Sequence, residues 1–129
     1  ACMIEAHPVN GVGARGFRVD WPACDPAPGQ APAWGGGEAY HAHQLLLELL
    51  SETGAIGLLL WLAGAWIVWR SWRRADAVAR DRARPALLAL AVTVFPLNTH
   101  LAFYSTFWGG LALLLAGLYA GALHGRERP

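Results

Sequence analysis

Lysine is absent from this 129-residue chain, and all ten of its basic residues are arginine. That excludes a Walker-type phosphate loop, whose lysine reaches the phosphates. Charge of either sign is scarce, at 15% of residues against ~25% in average soluble domains, while 55% are hydrophobic. The formal net charge of +1 leaves no electrostatic footprint for nucleic acid. Two cysteines are too few for a disulfide scaffold. A start methionine and a signal peptide are also missing, since the chain opens Ala1-Cys2-Met3-Ile4. We therefore expect the C-terminal part of a larger polytopic protein, with further transmembrane helices upstream.

What charge there is lies in blocks. Thr53 to Trp69 carries none, Arg70 to Arg84 carries six Arg and two Asp, and Pro85 to Gly125 again carries none. A hydrocarbon core takes ~20 apolar residues per helix. The first uncharged stretch fits one span and the second fits two. The second is interrupted at Phe95-Pro96-Leu97-Asn98-Thr99-His100, where proline ends or kinks a helix. The expected fold is all-α and integral to a membrane, with about three spans near Glu48–Trp69, Arg84–Leu97 and Ala102–Leu123. A loop over 70–84 joins the first two. Eight of the ten Arg fall in that loop or in the tail after Gly125. The positive-inside rule makes both cytoplasmic. Trp66, Trp69 and Trp72 mark the cytoplasmic interface of the first span.

Residues 1–43 then form a separate, extracytoplasmic region, followed by the transmembrane region 44–129. Gly11-Val12-Gly13-Ala14-Arg15-Gly16 spells G-x-G-x-x-G, but no strand precedes it. It reads as a chain of turns needing positive φ. Glycine and proline predict an irregular loop throughout. Cys2 and Cys24 lie on the oxidising side and could bridge. His41-x-His43 lacks a third and fourth ligand, so no metal is expected.

The most informative stretch runs from Tyr40 to Gly57, where a His-bearing entry leads straight into a span. If His43 opens that helix, Gly54 lies on the same face, three turns on. Leu47 and Leu50 lie between them, and Gly57 and Gly64 continue the stripe. Small residues on one stripe let a neighbouring helix approach. Glu48 and Glu52 fall on another face and read as wetting of the outer helix end.

His43-Gln44, nine residues, then Gly54 and Gly57 resemble the H-[N/S/Q]-x9-G-x-x-G motif of the O-antigen ligase and polymerase superfamily of membrane glycosyltransferases. Leu58-Leu59 stands where many ligases have Thr-Thr. Met3-Ile4, His7 to Gly13 and Phe17-Arg18 resemble the entry to that family's large periplasmic loop. Phe95 to His100 and the closing span resemble its last helices.

The resemblance implies transfer of a glycan from undecaprenyl diphosphate to a sugar hydroxyl at the periplasmic face of the bacterial inner membrane. In lipopolysaccharide biosynthesis the acceptor is lipid A–core for a ligase. For a polymerase it is another lipid-linked glycan. No cofactor is implied. His43 would act as base toward the acceptor hydroxyl. Arg18 and Arg15 would hold the diphosphate. His41, His100 and Asn98 would line the substrate pocket. A transporter segment and a membrane scaffold without chemistry are the other classes the pattern allows.

Overall fold

The computed structural model describes residues 2–30, 39–99 and 105–125. These form five helices and no strand: α1 (Cys2–Ala6), α2 (Phe17–Cys24), α3 (Leu45–Arg74), α4 (Ala77–Thr93) and α5 (Thr106–His124). Two of them, α3 and α5, are long and apolar enough to cross a membrane.

The helix α3 has 30 residues but is not one rod. At Gly54 the backbone leaves helical geometry, with φ 61° and ψ −154°. That region is open essentially to glycine alone. A break of this kind strips carbonyls and N–H groups of their helical partners. Here the segment Pro8–Gly13 supplies new ones. Val12 and Gly13 donate their N–H groups to the carbonyls of Ser51 and Glu52, at 2.9 Å each. Ala55 and Ile56 donate in turn to the carbonyls of Pro8 and Val9, at 2.9 and 3.1 Å. Non-helical backbone at membrane depth is tolerated where protein buries it or it lines water, and here protein satisfies it. From Ala55 to Arg74 the remaining helix is ~30 Å long at 1.5 Å per residue, which matches a hydrocarbon core.

Burial changes at the same place. Leu45, Leu49, Ser51, Gly54 and Gly57 are buried, whereas Leu59, Leu60, Leu62, Trp66 and Ile67 are exposed. The lower part of α3 therefore presents apolar side chains outward, as a lipid- or helix-facing span does. Arg70 lies over the Trp66 ring and Arg73 over the Trp69 ring, at 5.0 and 5.6 Å. Trp72 turns inward, onto a core of Ala79, Ala83, Tyr119 and Leu123.

The expected arginine-rich loop is not a loop. The helix α3 runs through Arg74, and α4 starts at Ala77 with the Asp76 carboxylate accepting the Ala79 N–H at 2.8 Å. An N-cap aspartate is enough to begin a helix there. Most of the arginines therefore sit on helix ends around a two-residue turn. The apolar middle segment expected from Arg84 is the second half of α4, which is not among the membrane-length helices. The helix α4 packs along α5. The Tyr119 hydroxyl ties α5 to α3 by donating to the Val68 carbonyl at 2.7 Å.

The N-terminal region is also more ordered than its composition predicts. It holds α1 and α2, joined by a Cys2–Cys24 disulfide, and both pack on α3. Gly11 and Gly13 do take positive φ, at 64° and 94°, and Arg15 does too, at 63°. Gly16 does not. It is required by close approach instead, because a Cβ there would lie within 2.9 Å of the Gly13 carbonyl oxygen.

Candidate functional site

The site is built where the N-terminal region meets the upper part of α3. Gly11 and Gly54 press backbone against backbone. A Cβ on Gly11 would reach 2.5 Å from the Glu52 oxygen and the Thr53 nitrogen. One on Gly54 would reach 2.6 Å from Val9 and 2.7 Å from the Gly11 nitrogen. The small-residue stripe thus receives a loop, not a neighbouring helix. Gly57 accommodates Thr53 of the preceding turn, and Gly64 has nothing within 4 Å. The stripe argument also fails at His43. It lies before the N-cap Gln44, whose φ of −153° is extended, so helical spacing does not carry from His43 to Gly54.

Above this junction lies a polar cavity of about 480 Å³, lined by Arg15, Arg18, Tyr40, His41, Glu48, Glu52, Ser105 and Thr106. Four elements converge on it: the turn before α2, α2 itself, the entry to α3, and the start of α5. Arg15, Arg18 and His41, expected as substrate-binding residues, are brought together. His43 is not among the lining residues. It is exposed, on the neighbouring surface formed with Phe17, Trp21 and Tyr40, with its ring centroid 4.7 Å from that of His41. His41 is partly buried. Burial first, and then the charge of His43, hold its pKa below the ordinary histidine value. The shift favours the neutral imidazole, one of whose ring nitrogens can accept a proton.

Asn98 takes no part in the cavity lining. Its amide nitrogen donates to the carbonyls of Val92 and Thr93, at 2.6 and 3.2 Å, closing the end of α4. The backbone around it serves the site indirectly. The Asn98 and Pro96 carbonyls accept the N–H groups of Leu45 and Leu46, at 3.0 and 3.1 Å, and so cap the start of α3. The Pro-Leu-Asn break thus joins two helices, and Asn98 stands outside the lining of this cavity. His100 lies outside the described residues.

Glu48 and Glu52 overturn their expected role. Both are buried, at 2% exposure, and both line the cavity instead of meeting open water. A carboxylate of Glu52 accepts the Arg15 N–H at 2.6 Å and hydrogen-bonds the Phe17 backbone. A signal for them was in the sequence, since an ionisable residue inside an apolar helix run is a functional candidate by default. Among the described residues, no group of three or more His, Cys, Asp or Glu is placed to hold a metal ion.

A broken membrane-length helix, completed by an upstream loop and carrying a basic and acidic cavity at one end, is the arrangement of a helical membrane protein with a polar site at a helix end. The family described as O-antigen ligase matches residues 1–62, so this segment is similar to that family. It contains every cavity residue except Ser105 and Thr106. Searches of curated proteins and of solved structures give no significant match.

Proposed function

We propose that this chain carries part of the active site of an O-antigen ligase-type glycosyltransferase. A glycan on undecaprenyl diphosphate is transferred to an acceptor sugar hydroxyl at the periplasmic face, most simply that of lipid A–core. The observation that carries this reading is the joining of Arg15, Arg18 and His41 in one cavity within the matched segment.

The residues have separable tasks. Two guanidiniums suit a diphosphate leaving group, because each can engage two phosphate oxygens at once. As the acceptor oxygen bonds to the sugar carbon and the bond to the diphosphate breaks, the hydroxyl proton must leave. His41 faces the cavity and takes that proton. His43, the motif residue, adjoins it toward solvent and passes the proton outward. The pair therefore replaces His43 alone as the proton acceptor. The cavity's position beyond the ~30 Å lower part of α3 supports a reaction at the membrane surface. The Cys2–Cys24 bridge and the arginines at the opposite helix ends support a periplasmic site in an inner-membrane protein.

Complementation with the full-length gene tests this. In a ligase-null strain the wild type should restore the polysaccharide ladder. His41→Ala and His43→Ala should each erase it at normal membrane expression, since a general base contributes roughly 10²–10⁴-fold. Arg18→Lys should weaken it, because an ammonium lacks the guanidinium fork. Normal ladders from both histidine variants would refute the proton route. Restoration in a polymerase-null strain alone would assign the acceptor to a lipid-linked glycan.

A further inference from the structure

Neither buried acid of the cavity, Glu48 or Glu52, is used by that mechanism. Glu52 sits two residues before the Gly54 break, buried and lining the cavity together with Arg15 and Arg18. Its carboxylate accepts the Arg15 N–H and bonds the Phe17 backbone. Those two groups open α2. The N-cap of α2, Gly16, offers no side-chain bond of its own. A carboxylate from 37 residues downstream therefore does what an N-cap side chain usually does. It also holds Arg15 in a left-handed conformation, φ 63°, that arginine rarely adopts. The segment carrying both cations is thus fastened to α3 by this acid, beside the Val12 and Gly13 backbone bonds.

We propose that Glu52 is the positioning residue of the anion subsite. Its carboxylate fixes the turn that carries Arg15 and Arg18, and its negative charge limits how tightly that pair holds a diphosphate. The inference rests on the diphosphate reading given above. Two fixed guanidiniums in a partly closed cavity would bind a diphosphate product strongly. A fixed anion beside them weakens the bound product as much as the bound substrate and so lets the product leave. Charge and geometry can be separated. Glu52→Gln keeps an oxygen that accepts from the turn but removes the charge. Glu52→Asp keeps the charge but draws the oxygens back from the turn.

The test is binding of inorganic pyrophosphate to the full-length protein in nanodiscs, together with steady-state transfer kinetics. Glu52→Gln should bind pyrophosphate about tenfold tighter, from loss of one nearby like charge. It should lower KM and kcat together, as release becomes limiting. Glu52→Asp should bind pyrophosphate more weakly and raise KM. A merely structural glutamate would instead lower the active fraction and leave KM unchanged. Unchanged or weaker binding by Glu52→Gln would overturn the proposal. If that variant does not fold, Glu52→Asp decides alone, and wild-type affinity and KM in it would overturn the proposal. A wild type that binds no pyrophosphate would sink the diphosphate reading and this inference together. Binding by the wild type that Glu52→Gln leaves unaltered would sink this inference only.

Discussion

Gly54→Ala should be among the most damaging single-methyl changes in the chain. The native φ of 61° with ψ −154° costs a non-glycine residue about 1–3 kcal/mol. The new Cβ would also stand 2.6 Å from the Val9 carbonyl carbon and oxygen. Neither can move without pulling Pro8–Gly13 away. The bonds first lost are those from Ala55 to Pro8 and from Ile56 to Val9, each worth about 1 kcal/mol net. Together these give a loss of about 3–5 kcal/mol. Gly64→Ala is the matched control, because it lies in the same helix with nothing within 4 Å of its added Cβ. There alanine should gain about 0.5–1 kcal/mol of helix propensity. Thermal unfolding of the full-length protein in detergent, followed by tryptophan fluorescence, reads the difference. At about 2–4 °C per kcal/mol, Gly54→Ala should melt roughly 6–20 °C below wild type and Gly64→Ala at or slightly above it. Equal melting of the two variants would refute the account of the break.

Other outcomes follow from the same geometry. The His41 imidazole should titrate below 6.5, and His43→Ala should raise its midpoint, by removing the like charge that is the second cause of the shift. A depressed histidine pKa makes the site lose stability as pH falls through it, so acid should loosen the α3 entry. NMR of ring-labelled protein checks both, and a midpoint unmoved in His43→Ala would contradict the pairing. Reducing Cys2–Cys24 opens a loop of 22 residues, worth about 3 kcal/mol by chain entropy. Hydrogen exchange should then rise in α1 and α2 but not in the packed part of α4 and α5, and uniform loosening would contradict it. Reporter fusions after Arg74 should report cytoplasm and those after Gly29 periplasm, and a periplasmic signal at Arg74 would reverse the proposed orientation.

Charge segregation made the long helices legible, because a bilayer admits few alternatives to an uncharged run of helical length. The turns at Gly11 and Gly13 were legible for a similar reason, since few structures suit so many glycines. The break at Gly54 was not. A lone glycine in an apolar helix is ordinarily tolerated, and only the arrival of Pro8–Gly13 from far upstream reveals what it is for. Glu48 and Glu52 were misjudged on the same ground, since the segment that buries them is remote in sequence. His41 and Arg18 stood out in the sequence and both line the cavity, while His43 lies on the neighbouring surface. Which of them faces the cavity depends on the extended entry before Gln44, where helical periodicity does not apply. Asn98 stood out because it is polar beside lipid, and in the fold its amide nitrogen closes the end of α4 on two helix carbonyls.

The exchange of hydrogen bonds between Pro8–Gly13 and the broken helix also governs how the chain can be made. Until the two meet, the Ser51 and Glu52 carbonyls and the Ala55 and Ile56 amides need water. The top of α3 therefore cannot settle into lipid by itself. If the loop is periplasmic, as proposed, it has to cross the membrane before the top of that helix can settle. Insertion of the helix then depends on prior delivery of the loop, so an N-terminal region delayed on the other side would strand the helix at its own glycine.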